Sequence, residues 1–246
     1  MLTLTHADYS RGRLLRLLDT LDAAPPGRIV QTLALLAGGA FPALPVADAH
    51  AAPLAEHASR SETGAVVFVG APTSWLVAPP YPLSEPFSAP GVETAPLRRL
   101  LAAERRLAVV LLRLGGYAIG VYEGDRLIEA RNDARFVKNR HRKGGQSQRR
   151  FDRIREKQVH GLFDHLCGDA AERLTPWQDR LDFLVYGGDR HAVLACLKEC
   201  RFLREFPAAV LPRFLTVPEP RHETLVTLPV LLNSSRVTVV SDGPAP

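Results

Sequence analysis

The apolar positions of this 246-residue chain change period along its length, and each change marks a predicted element. Leu14, Leu15, Leu17, Leu18 and Leu21 recur at helical spacing, and Ile29, Val30, Leu33, Leu35 and Leu36 follow after Pro25-Pro26. Residues 1–60 are therefore expected to be a small helical N-terminal region. AVVFVGAPTSWLVA (65–78) reads as two short strands about a Gly-Ala-Pro turn, and the six prolines between 79 and 96 as an irregular connector. Together these predict a β-hairpin and Pro-rich connector over 61–104. Further on, the near-continuous apolar run 107–114 predicts a strand buried on both faces. Gly115-Gly116 turns the chain into a strand over Tyr117–Tyr122, and Glu123-Gly124-Asp125 turns it again into Arg126–Arg131. A long helix is expected from Ser147 to Cys167, with Phe151, Ile154, Val159, Leu162, Phe163 and Leu166 as its apolar stripe. A strand over Leu181–Tyr186, a helix over His191–Cys200 and a last strand over Arg236–Val240 complete the pattern. This alternation predicts an α/β fold, a mixed β-sheet with flanking helices, in a domain spanning 105–246.

Charge changes the picture, because it is concentrated. The chain carries a net +5, yet residues 131–157 hold eleven Lys and Arg against three Asp and Glu, so everything outside that segment is net acidic. A segment this basic predicts a polyanionic partner, RNA first. Lys138, Arg140, His141, Arg142 and Lys143 precede Gly144-Gly145-Gln146, and Arg149, Arg150, Arg153 and Lys157 follow it. These nine are the candidate RNA-binding residues, with Arg149, Arg153 and Lys157 spaced to share a helix face apart from the apolar stripe. Phosphate contacts of this kind position a molecule without reading sequence. The two glycines lack side chains and let another molecule approach the backbone closely. A Gly-Gly-Gln tripeptide alone would occur by chance in roughly one chain in twenty of this length. Its weight comes from its setting, between strand-like residues and an amphipathic helix and inside the basic segment.

Other features narrow the function classes. Three cysteines cannot build a disulfide framework, which fits a reducing compartment and a cytoplasmic protein. MLTLTHADYSRGR lacks the apolar core of a signal peptide, and no apolar run approaches the length of a membrane span, so no membrane partner is expected. Cys196 and Cys200 stand one helical turn apart near His191, but Val193, Leu194 and Leu197 around them predict small buried apolar residues rather than a metal site. Gly187-Gly188-Asp189 lacks the spaced glycines of a nucleotide loop and reads as a strand-to-helix turn. His222-Glu223 does not complete a zinc-binding helix and reads as surface. No metal, cofactor or catalytic triad is expected.

KNRHRKGGQSQRRFDRIREK (138–157) resembles the catalytic loop of the central domain of archaeal and eukaryotic class-I peptide release factors, where a basic loop, GGQS and a basic-aromatic helix start occur in the same order. LAVVLLRLGGYAIGVYEGDRLIEA upstream resembles the hairpin that opens that domain, and LDFLVYGGDRHAVLACL downstream its next strand, Gly turn and helix. The resemblance spans about residues 105–217 and is nearest to the Vms-like release factors and their bacterial relatives. It implies a release-factor central domain of RNase H-like type. It also implies hydrolysis of the ester that joins a nascent peptide to tRNA, with Gln146, Gly144 and Gly145 as catalytic residues. Gln148 reads as a helix-start residue rather than the catalytic amide. The implied partners are the large ribosomal subunit, through rRNA at the peptidyl-transferase centre, and the CCA end of peptidyl-tRNA, met by a monomer. Residues 1–60 show no decoding motif, so a codon-independent hydrolase acting on stalled or split large subunits is expected. A ribonuclease at the tRNA 3′ end and a non-catalytic ribosome- or tRNA-binding factor remain open as alternatives.

Overall fold

The computed structural model describes residues 2–45, 48–135, 137 and 146–243, with the backbone alone at 48 and 146–149. In chain order the first elements are β1 (Thr3–Tyr9), α1 (Arg11–Asp22), β2 (Ile29–Leu35), α2 (Asp48–Ser59), β3 (Ala65–Gly70), β4 (Thr73–Ala78), β5 (Phe87–Pro90) and α3 (Ala95–Ala102). Next come β6 (Arg106–Arg113), β7 (Gly116–Glu123), β8 (Arg126–Ala134) and α4 (Gln146–Leu174). The last are β9 (Phe183–Gly188), α5 (Arg190–Glu199), α6 (Arg201–Arg204), β10 (Ala209–Val210), α7 (His222–Leu232) and β11 (Ser235–Ser241). The chain divides into two compact units, one formed by 1–103 with 230–246 and the other by 104–229.

The first unit is built on a six-stranded sheet in the order β1-β11-β4-β3-β2-β5, with antiparallel neighbours throughout. Residues 1–60, expected to be helical, contribute two strands as well as two helices. Leu14, Leu18 and Leu21 are buried on α1, as the helical spacing predicts. The apolar residues after Pro25-Pro26 instead form β2, which pairs with β3 through Leu33↔Val67 and with β5 through Gln31↔Pro90. Short apolar runs suit either element, and here the available sheet partners decide. The proline-rich stretch is likewise structured. Pro90 sits on the edge strand β5, where its missing N–H takes no ladder bond away, and Pro96 opens α3. The strand expected near Arg236–Val240 exists as β11, but it lies between β1 and β4 of this sheet. The domain expected over 105–246 therefore ends near residue 229, inside α7.

The second unit holds a five-stranded mixed sheet, β10-β9-β6-β7-β8. β6 runs parallel to β9, and β9 to β10, while the β6–β7 and β7–β8 pairs are antiparallel. The six interior residues of β6, Leu107–Leu112, are fully buried, as an uninterrupted apolar run on a central strand requires. Ala108, Val110 and Leu112 share one cluster with Leu162, Phe163, Leu166, Ala170 and Leu174 of α4 and with Ala192, Val193 and Cys196 of α5. The hydroxyl of the buried Tyr122 donates to the Leu225 carbonyl at 2.8 Å, fixing α7 to β7. Gly187-Gly188-Asp189 is the strand-to-helix turn that the sequence predicts. Gly188 has φ +100°, a Cβ there would lie 2.3 Å from the Leu112 carbonyl oxygen, and Asp189 caps α5 by accepting from the Ala192 N–H.

The cysteines depart from expectation. Cys196 is buried among apolar neighbours, and burial pushes its thiol up to about 12. Cys200 is buried too, but it forms a disulfide with Cys167 across 33 residues of sequence. Only the register of α4 against the start of α6 brings the two together, so spacing along the chain carries no sign of the bond.

Candidate nucleic-acid interface

The described elements on either side of positions 138–145 are β8 and α4. On the first side, β8 pairs with β7 through Ala134↔Gly116, and the Arg135 N–H donates to the Gly115 carbonyl at 2.9 Å. Val137 packs against the core cluster of the unit. On the second side α4 begins at Gln146 and continues for 29 residues. Gly144 and Gly145 lie outside the described residues, as do Lys138, Arg140, His141, Arg142 and Lys143. Gln146 and Arg149 are described by their helical backbone, and Gln148 likewise falls within the first turn of α4. Arg150, Arg153 and Lys157 have described side chains, and all three are exposed.

Two cations of the basic segment are taken up by the fold itself. Arg131 on β8 donates through Nε to Asp169 Oδ2 at 2.7 Å, and the buried Tyr117 hydroxyl donates to the same oxygen at 2.7 Å. Burial pushes the Asp169 carboxyl up, but the bonds from Arg131 and Tyr117 outweigh it and hold the group below the usual carboxylate range. Burial first, and then the bond to Asp169, push the Tyr117 phenol up. Arg135 pairs with Asp133 at 2.8 Å. Together with the Trp177 indole N–H, which donates to Glu129 at 2.9 Å, the Asp169 node ties the second half of α4 and the 3-10 turn after it to β7 and β8. Sequence reasoning missed this node, since Arg131 counts as one more positive charge until the fold sets a carboxylate against it. Among the described residues, the cations of this segment that stay exposed and outside any ion pair are those on the first turns of α4, Arg150, Arg153 and Lys157.

Phe151 belongs to this exposed part as well. It was expected on the apolar stripe, yet it is 50% exposed, and Ile154 and Val159 are only half-buried. Full burial begins at Leu162. The first turns of α4 thus present cations and an aromatic ring together, which suits contact with phosphate and base. Among the described residues no group of His, Cys, Asp or Glu could hold a metal ion, and no helix is long and apolar enough to cross a membrane. His222 and Glu223 are exposed in the first turn of α7.

Residues 105–238, more than half of the chain and the whole segment just described, match the model of the actinobacterial and chloroflexi VLRF1 release factors. The chain belongs to this release-factor family. The chain is also similar to peptide chain release factor subunit 1 of Archaeoglobus fulgidus, with 31% identity over 93 residues, 38% of this chain and 23% of that one. The counterpart from Methanosphaera stadtmanae is 30% identical over 96 residues, again 23% of its length. The chain thus spans between 22% and 34% of the archaeal release factors it matches. Among solved structures, the archaeal translation termination factor aRF1 overlaps with a TM-score of 0.39 at 18% identity, over 88% of this chain and 68% of that one. Archaeoglobus fulgidus Pelota overlaps with a TM-score of 0.32 at 10% identity, over 91% and 60%.

Proposed function

We propose that this VLRF1-family chain is a codon-independent peptidyl-tRNA hydrolase that frees nascent chains from tRNA on stalled or split large ribosomal subunits. The observation that carries the reading is the position of Gly144-Gly145-Gln146 in the sequence. The tripeptide lies inside the family-matched region and within the chain's densest positive charge, and its last residue, Gln146, opens α4. The bond to be cut is the ester between the peptide and the 3′-terminal ribose. Its hydrolysis passes through a tetrahedral intermediate whose oxyanion needs a preorganised donor. In this reading the Gln146 backbone N–H supplies that donor and its side chain shapes the space that admits water. Gly144 and Gly145 keep side chains out of the crowded peptidyl-transferase centre. Lys138, Arg140, His141, Arg142 and Lys143, with Arg149, Arg150, Arg153 and Lys157, hold rRNA or the tRNA acceptor end by phosphate contacts. The protein works as a monomer in the cytoplasm.

The product released from purified ribosome–peptidyl-tRNA complexes tests the reading. Free peptide with intact tRNA is expected; peptide on a shortened tRNA would mean a ribonuclease, and no release would mean a binding factor. Gln146→Ala should slow release roughly ten- to thousandfold with little change in ribosome binding, because the side chain that shapes the water space is lost while the backbone donor survives and keeps some activity. Gly145→Pro, which restricts the backbone, should be at least as damaging. Wild-type release rates in both variants would overturn the assignment.

A further inference from the structure

We infer that the cavity at the carboxyl ends of β6 and β9 is a subsite for one unpaired guanine nucleotide of RNA. The inference rests on the RNA-directed reading above and extends it to residues that no step of the release reaction uses.

Placement comes first. β6 and β9 run parallel as neighbours, and the crevice beyond the carboxyl ends of such strands is where open α/β sheets bind ligands. A cavity of about 450 Å³ lies there, lined by Arg113 at the end of β6, by Asp189 directly after β9 and by residues 218–221. That volume is within the roughly 300–1,000 Å³ of small-molecule sites. Its walls are tied to the sheet. Arg113 donates through Nη1 to the Pro218 carbonyl, Thr224 Oγ1 donates to the Glu219 carbonyl at 2.6 Å, and Gly116 pairs with both Arg113 and Ala134. At the floor Gly115 has φ +119°, and among the described residues a Cβ there would meet only the Arg135 carbonyl oxygen, at 4.0 Å. A ligand can therefore approach bare backbone at this point.

The chemistry of the lining selects the occupant. Asp133 is paired with Arg135 and Glu219 with Arg221, which leaves one guanidinium, Arg113, and one carboxylate, Asp189, without an ion pair among the described residues. One Asp189 oxygen accepts from the Ala192 N–H at 3.0 Å, and the other has no donor among the described residues. The lining thus carries no surplus of positive charge, and a bare phosphate gains little there. A neutral planar group that offers donors to a carboxylate and acceptors to a guanidinium does fit, between the apolar faces of Leu114, Pro218 and Pro220. Guanine is that group. Its N1–H and N2–H lie side by side for a carboxylate, and its O6 and N7 suit arginine. A chain of RNA rather than a free nucleotide follows from the neighbouring strand. Ala134, also in the lining, ends β8 and leads directly into the rest of the basic segment, which holds the phosphates on either side of a splayed base.

Binding of the full chain to two fluorescein-labelled RNA heptamers, UUUGUUU and UUUAUUU, provides the test. The basic segment meets the same phosphates in both, so a difference between them isolates the cavity. Wild type should bind the guanine heptamer about tenfold more tightly, the scale of one paired base contact, and the ratio should hold as salt rises. Asp189→Asn keeps a helix-capping oxygen, so α5 and the melting temperature should survive. It replaces the free carboxylate oxygen with a donor, however, and should bring the ratio close to one. Arg113→Gln should lower the ratio as well, through loss of the contact to O6 and N7. 5′-GMP should displace the labelled heptamer only at far higher concentration than the unlabelled heptamer does, because it lacks the flanking phosphates. Displacement at equal concentrations would overturn the assignment to RNA in favour of a free nucleotide. Equal binding of the two heptamers by wild type would overturn the inference, as would a ratio that Asp189→Asn leaves unchanged in the folded protein. None of these outcomes touches the hydrolase reading, which is decided separately by release in Gln146→Ala.

Discussion

From Leu162 to Leu174, α4 sets Leu162, Phe163, Leu166, Ala170 and Leu174 against the sheet, each at most 2% exposed, whereas its earlier turns present Arg150, Phe151, Arg153 and Lys157 to solvent. One continuous helix therefore serves two purposes. Its later half is held by apolar burial and by the Asp169 node. Its earlier half is carried by backbone hydrogen bonds, by its continuity with the packed half and by the partial burial of Ile154 and Val159. A helix anchored at one end can hold exposed turns at the other that contribute little core of their own. Stability and recognition are then separable along a single element, and substitutions should separate them in measurement.

The sharpest separation is expected from Leu166→Ala and Phe151→Ala. Leu166 is 1% exposed, so its truncation should destabilise the protein by about 2–5 kcal/mol through lost burial and a residual cavity. Phe151→Ala should cost less than about 1 kcal/mol in the same urea unfolding experiment and show its effect in affinity for large subunits. Equal losses of stability would break the comparison. A smaller effect is expected at the node. Asp169→Ala leaves the 1%-exposed Tyr117 hydroxyl and Arg131 without their acceptor, at about 1–3 kcal/mol. Differential scanning calorimetry should register that loss, and an unchanged transition would remove the node from the list of anchors.

The smallest effect lies where the two halves meet. His160 Nδ1 faces Glu199 Oε2 at 2.7 Å, and the bond to Glu199, its charge and the nearby charges of Asp164 and Glu156 raise the His160 pKa. A histidine whose pKa is raised by folding stabilises the protein fully below its unfolded value. That contribution fades as pH rises through the raised folded value. The melting-temperature difference between wild type and His160→Gln should accordingly be larger at pH 5.5 than at pH 8.5. A difference independent of pH would show that the pair contributes no titrating interaction.

How far the sequence could be read depended on whether a signal was local. The buried strand expected over 107–114, which is buried as far as Leu112, the turn at Gly188, the long helix expected from Ser147 and the surface position of His222 all follow from neighbouring residues, and the structure bears them out, with Leu114 exposed beyond the strand. What failed depended on partners far along the chain. Ile29–Leu35 became a strand because β3 and β5 flank it, and Cys200 found Cys167 across 33 residues. The apolar stripe of α4 was overextended for the same reason, since periodicity gives a face but not the place where the opposing sheet ends. At the site, charge density was legible but its division was not. Arg131 and Arg135 are consumed by Asp169 and Asp133, while Arg150, Arg153 and Lys157 stay available.

The position of β11 has a consequence for the order of assembly during synthesis. The unit formed by 104–229 is contiguous and holds every strand of its own sheet, so it can close once its last residues have left the ribosome. The other sheet is missing an interior strand until residues 235–241 arrive, because among the described residues β11 is the one neighbour of β1 and the bridge from β1 to β4. The GGQ-bearing unit should thus mature first, and β1, although synthesised before that unit, should be the last strand to find its place. A chain cut between residues 229 and 235 would retain that unit in full and leave β1 without the strand it pairs with.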